Sequence, residues 1–209
     1  MKYIIMCGGY VCDWEKPKHL WKYKGKPIVC RTIHLLQKYG VTDIAITTSP
    51  KCAKRYKSFK VPVIKYEANN EPFMWLDAFY PTDEPVCYLF GDVVYSQKAI
   101  WTIVSTKTVD IEFFASAPPF AKEYPKKHAE PFAFKVWNQE RFHRCIEETK
   151  GLYERGLWNR HPIAWELWQM IRGTQRNHII YDNYTVINDY TCDVDCEGDL
   201  KQWKRKRST

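Results

Sequence analysis

The chain has 209 residues, a formal net charge of +8, 45% apolar and 27% charged residues. That length can bury a real core and that composition excludes disorder over most of the chain. No apolar run approaches the roughly 20 residues that span a bilayer, so a membrane-spanning helix is excluded, and the excess of positive charge favours anionic partners.

In chain order, Tyr3 to Met6 reads as a buried strand, followed by the glycine pair Gly8-Gly9 and the lysines of Lys16-Pro17-Lys18 and Lys24-Gly25-Lys26-Pro27. Ile28 to Tyr39 reads as a helix, with Pro27 at its start, Val29, Ile33 and Leu36 on one face, and Gly40 past its end. Asp43 to Thr47 is a second strand. Val61 to Tyr66 is a third, placed near an edge by Pro62. Pro72 to Tyr80 is a short helix. Val86 to Phe90 is a fourth strand ending at Gly91-Asp92, and Ser96 caps a helix from Gln97 to Lys107.

In the second half, Ile111 to Ala115 and Phe132 to Val136 read as strands, joined by a charged loop over Pro118 to Pro131. Helices are predicted over Gln139 to Thr149 and Pro162 to Arg172. The second carries a core stripe of Ile163, Leu167, Met170 and Ile171, which leaves Trp165 and Trp168 partly outside it. Ile179 to Tyr181 and Thr185 to Ile187 are expected strands. With no repeat and no low-complexity linker, the chain reads as one domain over 1–209. It is read in three parts, 1–110, 111–185 and 186–209, the last ending in a basic helix.

The alternation of strands and helices predicts an α/β fold with a mostly parallel, doubly wound central sheet. In such sheets ligands bind beyond the carboxyl ends of the strands. The glycine turn after the first strand and Asp92 after the fourth therefore fall on one edge. Glycines let backbone N–H groups approach an anion, and lysine suits phosphate as a compact point charge. An Asp at a strand end suits a magnesium ligand, and Asp193-Val194-Asp195-Cys196-Glu197-Gly198-Asp199 gathers carboxylates in a basic protein. The spacing is neither a Walker loop nor G-x-G-x-x-G.

Eight cysteines are scattered without a paired Cys-x-x-Cys framework, so structural zinc is not expected, and a reducing cytoplasm suits them. The six histidines, His19, His34 and His161 among them, read as ordinary helix or surface residues. Lys18 reads as a surface lysine worth no more than about 0.5 kcal/mol to folding.

Gly8-Gly9, Lys16-Pro17-Lys18-x-Leu20 and Gly25-Lys26-Pro27-Ile28 together resemble the opening of the nucleotidyltransferase superfamily. Its members include sugar-1-phosphate nucleotidyltransferases, phosphocholine cytidylyltransferases and molybdenum-cofactor nucleotidyltransferases. Gly40-Val41-Thr42-Asp43-Ile44, Leu89-Phe90-Gly91-Asp92 and Asp193 to Leu200 continue the resemblance nearly end to end. It implies a Rossmann-like, glycosyltransferase-A-like three-layer fold. It also implies magnesium held by Asp92 and Asp195, with Lys18 on the phosphates as the third catalytic residue. Cys7, Gly8, Gly9, Lys16, Lys18 and Gly91 would bind the nucleotide, with the base near Asn69 and Asn70. The chain departs from the family pattern where Tyr10 to Trp14 replaces the second glycine and the arginine of the loop.

The implied activity couples a nucleoside triphosphate to a sugar-phosphate or phospho-alcohol with release of pyrophosphate, as in nucleotide-sugar biosynthesis. Nucleic acid is not the expected partner. Asp193-Val194-Asp195 also keeps open a nucleotide-sugar-dependent glycosyltransferase, and the altered loop and basic tail keep open a non-catalytic nucleotide or nucleic-acid binder. Trp137, Trp158, Trp165 and Trp168 fall where the family's acceptor part lies, where aromatic walls would suit a cationic acceptor.

Overall fold

A computed structural model of the chain describes residues 1–8, 17–68, 72–174, 178–196 and 198–200. Its centre is a seven-stranded sheet in the order β5-β4-β1-β6-β8-β7-β9. These strands are β1 (Lys2–Met6), β4 (Ile44–Thr48), β5 (Val63–Lys65), β6 (Val86–Phe90), β7 (Ile111–Ser116), β8 (Glu130–Val136) and β9 (Thr185–Val186). β5, β4, β1 and β6 pair in parallel, β8 runs antiparallel to both β6 and β7, and β9 is parallel to β7. The expected mostly parallel α/β sheet is present. A two-stranded ribbon, β2 (Lys22–Tyr23) with β3 (Lys26–Pro27), precedes the first helix.

Every residue of β4, β6 and β8 is buried. This is the pattern of strands covered on both faces, and it explains their near-continuous apolar runs. α1 (Ile28–Lys38) buries Ile28, Val29, Thr32, Ile33 and Leu36. Its C-terminus is closed by Gly40, whose φ of 81° is the left-handed conformation that glycine adopts without penalty. β5 lies at the sheet edge, as Pro62 predicted. Pro62 still contributes its carbonyl, which accepts from the Ile46 N–H at 2.9 Å. α3 (Gln97–Ser105) is capped by Ser96, whose Oγ accepts from the Ala99 N–H at 2.8 Å.

Several expectations are corrected. The helix at 72–80 contracts to α2 (Met74–Asp77). α4 (Gln139–Glu154) runs past Thr149, because Phe142, Cys145, Ile146, Thr149 and Leu152 keep one buried stripe going through Gly151. α5 (Ala164–Arg172) buries Trp165 and Trp168, exposed by 1% and 3%, rather than leaving them outside its core stripe. Both pack on Phe113 of β7, and the 178–184 segment covers the helix from the other side.

That covering also explains why Ile179 to Tyr181 is not a strand. Gln169 Nε2 donates to the His178 carbonyl at 2.8 Å and Trp168 Nε1 to the Asp182 carbonyl at 3.0 Å. Side chains of α5 take the place that a neighbouring strand would fill. Among the described residues, no helix is long and apolar enough to cross a membrane. The basic tail from 201 to 209 lies outside the described residues.

Candidate active site

The carboxyl ends of β1 and β6 lie side by side, since Met6 is in register with Phe90. Cys7 continues β1: its N–H donates to the Thr47 carbonyl at 2.8 Å, and its carbonyl accepts from Thr48 Oγ1 at 3.0 Å. Gly8 follows, and among the described residues a Cβ there would meet only the Tyr66 carbonyl oxygen, at 3.8 Å.

Gly91 is the opposite case. A Cβ there would sit 2.4 Å from the Met6 carbonyl oxygen and 2.7 Å from Cys7 Sγ. The backbone oxygen cannot retreat, because it also accepts the Gly91 N–H at 2.9 Å. Glycine is required here by the close approach of two strand ends. Gly91→Ala is expected to destabilise the fold by about 1–3 kcal/mol, in the range of an overpacked core, whereas Gly8→Ala should cost less than about 1 kcal/mol. Urea unfolding of the two variants checks this, and equal losses would remove the packing distinction.

Asp92 follows Gly91 and meets Lys18, which stands on a single 3-10 turn, Lys18–Leu20, behind Pro17. Lys18 Nζ pairs with Asp92 Oδ2 and lies 3.3 Å from Asp195 Oδ1. Three residues from remote parts of the chain, Lys18 and Asp195 being 177 apart, thus converge at the carboxyl edge of the sheet. The side chains of Lys18 and Asp92 are 25% and 15% exposed, so the expectation of a surface lysine is corrected to a largely buried ion pair. Burial alone would lower the pKa of Lys18, but Asp92 and then Asp195 outweigh it and hold the ammonium above its usual range.

Asp195 is delivered by a segment that runs alongside the exit of β6. Val94 and Cys192 form an antiparallel bridge, with the Val94 N–H donating to the Cys192 carbonyl at 2.8 Å. Ser96 Oγ donates to Asp189 Oδ2 at 2.5 Å, and the Ser96 N–H donates to Thr191 Oγ1 at 3.0 Å. Val194 and Leu200 pack with Tyr23, Ile28 and Val94 in a small separate core. Asp199 shapes the turn, its Oδ2 accepting the N–H groups of Asp195 and Cys196 at 3.0 and 2.9 Å.

Sequence reasoning missed part of this edge. His19 is buried, not an ordinary surface histidine. It shares a 3.3 Å hydrogen bond with Tyr56 OH, and burial lowers its pKa to about 4, so it is neutral near pH 7. His128, from the charged loop between β7 and β8, stands beside Asp193 and Asp195. Burial, then the charges of Glu130, Asp195 and Asp92, push the Asp193 carboxyl up to about 8. No motif marks His128; only its place in a loop read as charged pointed toward it. Gly9, Lys16, Asn69 and Asn70 lie outside the described residues.

The tryptophans part company. Trp165 and Trp168 are core and cannot wall an open pocket. Trp137, 53% exposed, follows β8 at the edge opposite Asp92, where its N–H donates to the Asp110 carbonyl at 2.7 Å. Trp158 lines a hollow with Tyr153, Asn159, Arg160 and His161 beyond the C-terminal end of α4.

No protein-family model matches the sequence, and no curated protein does. Solved structures do. A 4-diphosphocytidyl-2C-methyl-D-erythritol synthase from Anaerococcus prevotii superposes with a TM-score of 0.57 at 11% identity, covering 100% of this chain and 98% of its own. The inositol-1-phosphate CTP transferase of T. maritima gives 0.57 at 15% identity, covering 99% and 94%. A putative glucose-1-phosphate thymidylyltransferase from Bacillus anthracis gives 0.59 at 14% identity, covering 98% and 94%. The chain shares the fold of these proteins. The likeness runs the full length, so the Rossmann-like α/β architecture expected from the opening motifs is present from β1 to the acidic turn.

Proposed function

We propose that the protein is a magnesium-dependent nucleotidyltransferase that couples a nucleoside triphosphate to a sugar-phosphate or phospho-alcohol and releases pyrophosphate. The observation that carries this reading is the convergence of Asp92 and Asp195 on Lys18 at the carboxyl edge of the sheet. Two carboxylates that already gather around an ammonium make a hard, oxygen-rich cradle for a cation, and this donor set fits magnesium. Asp92 and Asp195 would hold the ion, which when bound neutralises the polyphosphate. The fold likeness to a CTP transferase and a thymidylyltransferase adds support from proteins whose names carry this chemistry.

The reaction assigned to the chain is attack by the acceptor's phosphate oxygen on the α-phosphorus, with the bond to pyrophosphate breaking. The nucleophile is already anionic, so the protein needs no general base. Its residues act by orientation and charge. Gly8, at the end of β1, would let an anion approach, with Cys7 holding the strand end in place, and Lys18 would reach the phosphates. Residues 1–110 would form the nucleotide half, 111–185 the acceptor part and 186–209 the closing motif. Gly9, Lys16, Asn69 and Asn70 stay within the proposed nucleotide site. The hollow beside Trp158, Arg160 and His161 is the acceptor surface we favour.

A pyrophosphate-release screen of four triphosphates against phosphorylated sugars and alcohols tests the reading. One triphosphate with one acceptor class should give divalent-dependent release. A nucleotide-sugar-dependent glycosyltransferase would release none, and silence across the whole panel would remove the transferase assignment.

A further inference from the structure

The acidic turn also stands beside a histidine. A ring nitrogen of His128 and one carboxylate oxygen each from Asp193 and Asp195 lie within 4.8 Å of one another. These donors come from two segments that a buried ionic clasp joins. Lys126 Nζ pairs with Glu130 Oε2 at 2.8 Å, donates to the Thr191 carbonyl, and lies 5.2 Å from the centre of the Phe132 ring. The Lys126 and Glu130 side chains are only 5% and 7% exposed. The loop bearing His128 and the turn bearing Asp193 are therefore held together from beneath.

The carboxyl groups of Asp193, Asp195, Glu130 and Asp92 stand near one another here, with the ammonium groups of Lys18 and Lys126 paired among them. A cation bound at this place would take its donors from His128, Asp193 and Asp195. The donor set says which kind. Magnesium prefers oxygen ligands and keeps several waters, whereas an imidazole nitrogen with carboxylates suits a borderline transition ion. Bonds of about 2.0–2.2 Å place tetrahedral donors about 3.4 Å apart. His128 is exposed, and Asp195 is 62% exposed though 3.3 Å from Lys18 Nζ, so small rotamer changes can close the difference.

We propose that His128, Asp193 and Asp195 form a second divalent-cation site, distinct from the Asp92–Asp195 pair, that takes Zn2+ in preference to Mg2+. Three protein donors leave further positions on the ion for water or a ligand oxygen. Asp195 is common to both sites, so Asp92 and His128 are the residues that tell them apart. The site does not depend on the transferase reading, since it is defined by binding.

Cobalt titration of the full chain, followed by visible absorption with Zn2+ and Mg2+ in competition, tests it. One Co2+ per chain should bind, be displaced by stoichiometric Zn2+, and withstand a hundredfold excess of Mg2+. His128→Ala should weaken Zn2+ at least about tenfold, the least that losing even an outer-shell partner typically costs. Asp92→Asn should still bind one Zn2+ per chain, because His128, Asp193 and Asp195 remain. Competition by Mg2+ on equal terms, unchanged Zn2+ affinity in His128→Ala, or loss of Zn2+ binding in Asp92→Asn would each overturn the proposal. So would a thiolate-to-cobalt absorption band, which would move the site to a cysteine.

Discussion

Asp92→Asn is expected to abolish pyrophosphate release, lowering kcat by at least about a thousandfold, while the protein stays folded. The amide keeps the shape of the carboxylate but removes the charge that faces both Lys18 and the proposed cation. A preorganised charge at such a site is worth about 4 kcal/mol in rate, which corresponds to that factor. The folding cost should be smaller, about 1–2 kcal/mol, because Lys18 keeps Asp195 at 3.3 Å and neither partner is stranded without solvent. Asp195→Asn makes the sharper comparison. Its side chain is 62% exposed, so stability should move by less than about 0.5 kcal/mol while turnover is again lost. Pyrophosphate assays beside thermal melts separate the two quantities. Near-normal release by either variant would strip that residue of its proposed role.

The parts of the fold that were legible in the sequence are those where one residue pattern admits one structure. Ile44 to Thr48 and Val86 to Phe90 are short apolar runs buried on both faces, and Pro27, Ser96 and Gly40 mark helix ends by their own chemistry. Where tertiary contacts substitute for local ones, reading by pattern fails. Ile179 to Tyr181 has strand composition, but Gln169 and Trp168 hold the residues on either side of it, His178 and Asp182, by their carbonyls. Trp165 and Trp168 sit off the predicted stripe, and Phe113 of β7 together with the segment folded over α5 buries them.

The candidate site divides the same way. Asp92 and Asp195 stood out by motif, yet that they meet on one ammonium depends on the Val94–Cys192 bridge and the Ser96–Asp189 bond, neither of which leaves a trace in sequence spacing. His128 carries no motif at all. Its place is fixed by Lys126 and Glu130, two charged residues that look solvated in the sequence and are buried in the fold.

Lys18→Ala is expected to pull turnover and metal binding in opposite directions. In the ligand-free protein the Lys18 ammonium lies between Asp92 and Asp195, the groups proposed to hold the divalent ion. Removing it leaves carboxylates facing one another, so Mg2+ should bind several-fold more tightly to the variant than to the parent. The same repulsion should lower folding stability by about 1–2 kcal/mol in chelator, more than an ordinary surface lysine would, with millimolar Mg2+ restoring most of it. Turnover should nevertheless fall. A lysine that contacts phosphates as charge develops contributes about 3 kcal/mol to the rate, so kcat/KM for the triphosphate should drop about a hundredfold even at saturating Mg2+. Isothermal titration with Mg2+, melts with and without chelator, and pyrophosphate release measure the three effects. Tighter Mg2+ binding with unchanged kcat/KM would make Lys18 a counter-ion of the apo site and nothing more. A loss of both Mg2+ binding and turnover would mean that the carboxylates need Lys18 to hold their geometry, and the cradle would then have to be built from all three residues.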